Sequence, residues 1–416
     1  MTRGKSAAIC ALMVEASSFK MMMNEVVGYG SCCECGSCVL VCPHNVIEYI
    51  GGKPQQTAKP TASFDFCGIS EGIGCDVCAQ VCPRLYPREF QLADLLYGKD
   101  QPPYSGAFGR YRKILAARSS DPEIHRRGQD GGVVTGILAW GLRSGFIDGA
   151  VLAAIEPDRP CLPVPKAIAS IEEVIASAGS WYTYVPNNLA MAEAQEKGLQ
   201  EVAFVGVPCQ ITPIRKMQLK DPGYLNNGRK KDKHIERQSR CLKGFAARVK
   251  LNIGLLCSEV FTFQGLMVEK IEGEMGIPLS EIRQFNVKGK VQIYKKSGEL
   301  VELGLRKAQE YARPECHHCG DFSGELADIS CGGVGTHNWT IVVIRTRRGE
   351  EVIDAMVRDG LLELRSMEEF ESSMKVLIRL ATRQRARVPV PPGREEAFVR
   401  PPEEERAQSF VNRPQR

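Results

Sequence analysis

Eight cysteines near the start of the chain fall into two runs whose spacing suits a cubane of iron and sulfide. Cys32, Cys35, Cys38 and Cys42, with Pro43 next, read CxxCxxCxxxCP. Cys67, Cys75, Cys78 and Cys82, with Pro83 next, repeat the run with the first gap stretched by Gly68 to Gly74. Three thiolates in a tight loop cap three irons, while the fourth, opening the next turn, reaches the other cluster. Such centres move one electron at a time. Structural zinc is the competing use of these thiols, but it prefers two well-separated CxxC pairs to two CxxxCP endings. Cys33, next to Cys32, has no place in either run and reads as a spare; Cys10, Cys161 and Cys241 have no neighbour at ligand spacing.

Both runs resemble those of bacterial-type ferredoxins. The ferredoxin pairing implies one cluster on Cys32, Cys35, Cys38 and Cys82, and another on Cys67, Cys75, Cys78 and Cys42. A further set lies downstream. Cys209 follows a strand in Val207-Pro208-Cys209-Gln210, Cys257 follows another in Leu255-Leu256-Cys257-Ser258-Glu259, and Cys316 and Cys319 form a CxxC around His317 and His318. Strand ends of an α/β sheet are where sites gather. By spacing these four make a third cluster, a zinc site, or two buried cysteines beside a chance CxxC. The two histidines read as loop residues, and Cys331, in Ser330-Cys331-Gly332-Gly333, as a thiol lining the site. The turn Gly128-Gln129-Asp130-Gly131-Gly132 precedes a helical pattern, which is a seat for a phosphate or a simple cap. No GxGxxG and no P-loop occurs, so a nicotinamide-binding Rossmann domain and an ATPase lack support.

The elements that must hold these residues are legible from composition. With 416 residues and 43% hydrophobic content the chain has room for two or three domains. Ten of its 17 cysteines precede Pro83, and the segment Ile47 to Phe66 between the two runs is loop-like. Residues 1–27 read as an N-terminal extension, 28–97 as a ferredoxin-like domain and 98–109 as a Gly/Pro/Tyr linker. From Tyr111 strands (Gly149 to Ala153, Glu201 to Val207, Leu251 to Leu256, Thr340 to Ile344) alternate with helices (Val133 to Arg143, Ile171 to Ala178, Leu189 to Gly198, Phe261 to Met275). This predicts an α/β domain over 110–380, and an α+β or α/β chain in all. Tyr224 to Arg240 reads as a polar basic loop, and 381–416 as a disordered tail rich in proline and charge. No apolar run approaches the roughly 20 residues of a span. With 54 basic against 49 acidic residues the charge is too even for a nucleic-acid footprint. A cytoplasmic protein with reduced thiols is expected.

From about Gly109 to Leu364 the chain resembles the coenzyme F420 hydrogenase/dehydrogenase beta subunit family. The resemblance is carried, in order, by Ala117-Arg118-Ser119, Gln129-Asp130-Gly131-Gly132, Gly179 to Tyr184, Gly206 to Gln210, Gly254 to Glu259, Lys288-Gly289-Lys290, Tyr311 to Cys319 and Ala327 through Gly335. It implies FAD beside a 4Fe-4S cluster on Cys209, Cys257, Cys316 and Cys319, and coenzyme F420 as hydride substrate. The implied set is thus three clusters, one FAD and no proton-transfer residue. Gln129, Asp130, Gly131 and Gly132 would seat the FAD pyrophosphate, Tyr182 and Thr183 would flank it, and Lys288, Lys290 and Arg306 would hold the anionic tail of the deazaflavin. Two departures stand out. Gly179-Ser180-Trp181-Tyr182 replaces the family's Gly-Thr-Lys-Tyr, and the glycine block ends short at Gly335-Thr336-His337-Asn338-Trp339.

Within the family the bare hydrogenase subunit lacks a front cluster domain. The formate dehydrogenase beta subunit and the F420H2 dehydrogenase input subunit have one, and length and tail favour the former. The expected partner is a formate dehydrogenase alpha subunit or a membrane dehydrogenase complex, with no direct membrane insertion. The front domain is expected to be a separable wire, so that removing residues 1 to about 106 leaves a folded flavin domain. The rival readings are a ferredoxin-dependent flavin reductase of an organic substrate and a zinc-bearing module using Arg229 to Arg240 on nucleic acid.

Overall fold

The computed structural model describes residues 18–56, 67–219 and 232–389. The front begins with a short helix, Phe19–Met22, capped by the Ser18 side chain and running on into Met23–Gly28. The cysteine loop, the helix Ser37–Leu40 and an antiparallel hairpin of β1 (Ile47–Ile50) and β2 (Lys53–Gln56) follow. The helices Gly68–Ile73, Val77–Val81 and Glu89–Tyr97 complete this part, and a two-residue ribbon of β3 (Tyr104–Ser105) and β4 (Gly109–Arg110) leads out of it.

The body is one eight-stranded mixed sheet. Its strands are β5 (Lys113–Ser119), β6 (Gly149–Ile155), β7 (Pro163–Ile168), β8 (Val202–Gly206) and β9 (Val249–Leu255). A separate antiparallel meander of β10 (Ile282–Val287), β11 (Lys290–Lys295) and β12 (Leu300–Gly304) is inserted next. The sheet then resumes with β13 (Ile329–Gly332), β14 (Thr340–Ile344) and β15 (Leu362–Ser366). The order is β15-β5-β14-β13-β9-β8-β6-β7, with β13, β9, β8 and β6 parallel and the outer pairs antiparallel. Every residue of β8 and of β14 is buried. Unbroken apolar runs of this kind belong to strands covered on both faces, where alternation has nothing to face. One face packs against the helices Ala190–Glu196, Pro208–Leu219 and Asp232–Ala246, the other against Val133–Arg143 and Arg347–Arg358. Among the described residues no helix is long and apolar enough to cross a membrane.

The expected strands and helices of the body are present with ends shifted by a residue or two, except Phe263–Glu274, which winds with a π-type turn in which the Met275 amide reaches back to the carbonyl of Lys270. Three expectations are corrected. Residues 232–240, read as loop, belong to the helix Asp232–Ala246, which buries Leu242 and Ala246; residues 220–231 lie outside the described part. Residues 381–387, read as the start of a tail, are the end of the helix Glu371–Arg387, with Ala381, Gln384 and Arg385 buried; residues 390–416 lie outside the described part. Composition misled in both places because one packed face is enough to order a polar helix.

The third correction concerns the linker. Ala107 and Phe108 are buried, and Arg345, directly after β14 and itself fully buried, donates to the carbonyls of Phe108 (2.9 Å), Arg110 (2.8 Å) and Ser323 (3.0 Å) and to the hydroxyl of Ser330 (2.7 Å). The front is also continuous with the body's core: Val41, Val77, Val81 and Leu92 share one apolar cluster with Met191, Phe204, Met217 and Leu242. It is not a separable unit. Deleting residues 1–106 is therefore expected to abolish a cooperative melt and drive the remainder into aggregates, read by circular dichroism and size-exclusion chromatography.

Candidate metal centre

β8 and β9 lie side by side and parallel, so their C-terminal ends open on one edge of the sheet. Val207 and Pro208 turn β8 into the helix Pro208–Leu219, placing Cys209 in its first turn. Cys257 follows the end of β9, and its amide donates to the carbonyl of Phe322 (2.8 Å). Cys316 and Cys319 come from the 3-10 turn Pro314–His318, where the Cys316 amide donates to Arg313 O (3.1 Å) and the Cys319 amide to Cys316 O (3.2 Å). All four thiols line one pocket, together with Cys33, Arg84, Tyr184, Glu259, Arg313 and Gln384. The end of the Glu371–Arg387 helix closes it: Gln384 donates to the carbonyls of Cys257 and Asp321 (3.0 Å each) and Arg387 to that of Cys316 (3.2 Å).

A second pocket is lined by Cys32, Cys35, Cys38 and Cys82, so the last cysteine of the second run joins the first three of the first. Cys78 has Cys38, Cys75, Cys42 and Cys67 as its electrostatic neighbours. Cys33 lines both pockets, beside the thiols of Cys209 and Cys35. Cys331 does the opposite. It sits in β13 within the apolar core, where burial pushes its thiol up to about 12, and it lines neither pocket.

Burial holds the thiols of Cys257, Cys316 and Cys319 above their ordinary value, and mutual repulsion adds to this at Cys257. For Cys209 the contact with Cys33 acts first and burial second. A metal would reverse this, because a coordinating thiol is deprotonated. The surroundings already favour negative charge. Arg84 is buried and donates to the carbonyls of Ser31 (3.0 Å), His318 (2.7 Å) and Glu315 (3.1 Å). Lys216 is fully buried and donates to the carbonyls of Cys82 (2.5 Å) and Leu85 (2.7 Å). Neither cation has a carboxylate within ion-pair distance among the described residues. The hydroxyl of Tyr184 is buried without a hydrogen-bond partner beside the first pocket. Buried cations and a spare donor around four thiols fit an anionic thiolate centre. Among the described residues no three His, Cys, Asp or Glu are drawn together as they would be around a metal ion, so the shared pockets, not a closed coordination shell, carry the assignment.

The expected flavin and deazaflavin residues are only partly gathered. Gln129 donates to the Tyr182 hydroxyl (3.4 Å) and accepts from Gln284 (3.4 Å); Thr183 is next to Tyr182, and its hydroxyl is buried without a partner. Lys288 turns inward to Asp130 (2.8 Å) and the carbonyl of Thr336 (2.7 Å). Burial pushes the Asp130 carboxyl up while Lys288 pulls it down. The glycines do something other than expected. The Gly131 amide donates to the Thr340 hydroxyl (3.1 Å) and the Gly132 amide to Gln129 O (3.0 Å), so both are used internally. A Cβ on Gly131 would lie 2.5 Å from the carbonyl of Ala117, and one on Gly333 would overlap the Asp130 carboxylate. These glycines permit close approach. Lys290 instead pairs with Glu302 (2.6 Å) on the exposed meander, and Arg306 is exposed on the helix Leu305–Gln309. The three basic residues do not converge.

Sequence reasoning missed Arg84, Lys216, Arg313, Glu34 and Tyr184. Only Arg84 carries a local signal, as it directly follows Cys82 and Pro83. The others arrive through tertiary contact: Arg313 pairs with Glu34 (2.6 Å) and lies over the Tyr184 ring (4.1 Å).

Comparison with known proteins follows the same geography. Models of the N-terminal and C-terminal parts of the coenzyme F420 hydrogenase/dehydrogenase beta subunit match residues 114–192 and 199–370 respectively. The beta subunit of coenzyme F420 hydrogenase from Methanococcus voltae is 32% identical over 67% of this chain and 92% of its own length. The F subunit of the F420H2 dehydrogenase from Methanosarcina mazei is 32% identical over 87% of this chain and 91% of its own. A chain of the F420-reducing NiFe hydrogenase complex from Methanosarcina barkeri superposes with a TM-score of 0.61 and 30% identity, covering 69% of this chain and 92% of that one.

The Asp130–Lys288 pair gives a direct test of how the glycine turn is held. Lys288→Ala leaves a buried carboxylate unpaired and is expected to cost about 3 kcal/mol in urea unfolding. Combining it with Asp130→Asn is expected to recover most of that loss, since the uncompensated charge is then gone.

Proposed function

Because the chain belongs to the coenzyme F420 hydrogenase/dehydrogenase beta subunit family, we propose that it is an electron-input subunit, taking hydride from reduced coenzyme F420 to FAD and passing electrons through three 4Fe-4S clusters to a partner. The observation that supports this is that Cys209, Cys257, Cys316 and Cys319, far apart in the chain, line one pocket at the strand ends beside the buried Arg84 and Arg313. The clusters would be held by Cys32, Cys35, Cys38 and Cys82, by Cys42, Cys67, Cys75 and Cys78, and by Cys209, Cys257, Cys316 and Cys319. FAD, when bound, supplies the link between a two-electron hydride donor and one-electron acceptors.

The chain's own residues supply position and electrostatics. Gln129, Tyr182 and Thr183 are the groups we assign to the flavin, with the N-terminus of the Val133–Arg143 helix behind the Gln129 turn as the seat for its pyrophosphate. Lys288, already tied to this turn through Asp130, is the basic residue best placed to meet an anionic deazaflavin tail. Tyr184 and Arg313 stand on the third cysteine pocket, where the tyrosine hydroxyl has a proton to donate to a thiolate or sulfide. No side chain is asked to transfer a proton in the reaction.

For the partner we favour a complex of the F420H2 dehydrogenase type. That relative is matched over 87% of this chain, an extent that cannot be placed without taking in Cys67 to Cys82, whereas the hydrogenase subunit is matched over 67%. The tail that had favoured a formate dehydrogenase subunit is in part the buried end of a helix.

Anaerobically purified protein is expected to hold about twelve irons and one FAD, from three cubanes of four irons each. Eight irons with every thiol intact would remove the third cluster from this reading. Reduced coenzyme F420 is expected to bleach the flavin on anaerobic mixing, and NADH is not, for want of a dinucleotide fingerprint; rapid bleaching by NADH alone would overturn the assignment of the donor. Cys209→Ser is expected to take away one cluster's electron paramagnetic resonance signal and leave the other two.

A further inference from the structure

The wall between the two lined pockets consists of two side chains common to both, Cys33 and Arg84. Arg84 is 7% exposed and donates to the main-chain carbonyls of Ser31, Glu315 and His318, with the Cys319 thiol also within its reach. Among ionisable groups, the thiols of Cys319, Cys33 and Cys209 act on it most strongly. Glu89, the carboxylate in its neighbourhood, is taken by Arg88 (3.2 Å). A guanidinium is permanently charged, and removing it from water without a counter-charge is costly. Carbonyl dipoles meet part of that cost; a negative centre beside it would meet the rest. The other cations near these pockets differ in reach. Lys216 donates to the Cys82 and Leu85 carbonyls, Arg313 is neutralised by Glu34, and Arg387 lies on the outer side near Glu259.

Building on the reading of these cysteines as cluster ligands, we propose that Arg84 is the counter-cation shared by the cluster on Cys32, Cys35, Cys38 and Cys82 and the cluster on Cys209, Cys257, Cys316 and Cys319, and that it raises the reduction potentials of both together. Reduction adds one electron to a cluster and makes or breaks no bond, so the added negative charge is felt by every fixed charge nearby. In a buried setting that interaction is barely screened. A cation between two clusters stabilises the reduced form of each and so moves both potentials in the same direction. The cluster on Cys42, Cys67, Cys75 and Cys78 does not share this wall. Arg84 acts as a positioning charge and is not a ligand.

The test is a redox titration of the full chain followed by electron paramagnetic resonance, comparing the parent with Arg84→Gln, Arg84→Lys and Lys216→Gln. Arg84→Gln is expected to keep about twelve irons while two midpoints move to more negative potential and the third stays. Arg84→Lys is expected to move the same two by less, since the charge remains but its position changes. Lys216→Gln is expected to shift only the Cys82-bound centre. Three unchanged midpoints in Arg84→Gln, or a shift confined to one centre, would overturn the proposal. If Arg84→Gln does not assemble its clusters, the Arg84→Lys titration decides alone: joint movement of two midpoints supports the shared charge, and movement of one or none refutes it. Fewer than twelve irons in the parent would instead count against the reading of the cysteines.

Discussion

A cation that has lost its water must find acceptors, and in this protein the acceptors belong to a different part of the chain. Arg84 and Lys216 are both buried, one from the front and one from the body, and each satisfies its donors on main-chain carbonyls across the boundary. Carbonyls on a loop hold a donor only when the loop is fixed, so these bonds set the path of the Cys82–Leu85 and Glu315–His318 segments at once. The same segments carry Cys82 and Cys316, and Cys319 follows the second directly. The ionic pairs of Lys53 with Glu34 (2.6 Å) and Glu315 (2.9 Å) repeat the tie at the rim, where partial exposure makes them weaker.

The sheet explains why one cysteine set can be drawn from such distant positions. Parallel pairing of β8 with β9 sets their C-terminal ends at the same level, so Cys209 and Cys257, 48 positions apart in the chain, emerge side by side. The loop of Cys316 and Cys319 is then held from above by the Glu371–Arg387 helix through Gln384 and Arg387. Such a helix would look dispensable in sequence, but here it supplies further donors to the carbonyls of Cys257, Asp321 and Cys316 around the pocket.

At the Gln129–Gly132 turn, close packing takes the place of the open glycine cradle. Gly131 is wedged against β5 and β14, and Gly333 makes room for the Asp130 carboxylate. That carboxylate in turn draws Lys288 in from the meander's first turn. The meander is thereby joined to the sheet through one buried ion pair and the apolar packing of Trp181 on Phe285. Lys290 and Arg306, only a few residues away, have no such draw and stay at the surface.

The sequence by itself determined whatever depends on short range. Two CxxxCP runs announce tight cysteine loops because the spacing is local, and the apolar runs of β8 and β14 announce buried strands without any partner in view. Helix ends such as Val133 and Arg143 follow from local composition in the same way. Tertiary structure alone decided what depends on which segments meet. It made Cys33 a shared wall, removed Cys331 to the core, turned the expected linker and tail into packed elements, and separated Lys290 and Arg306 from Lys288. The physical reason is common to all of these. A side chain's role here is set by how much water the rest of the fold takes from it and by which carbonyls, thiols or charges replace that water, and neither is encoded in its neighbours along the chain.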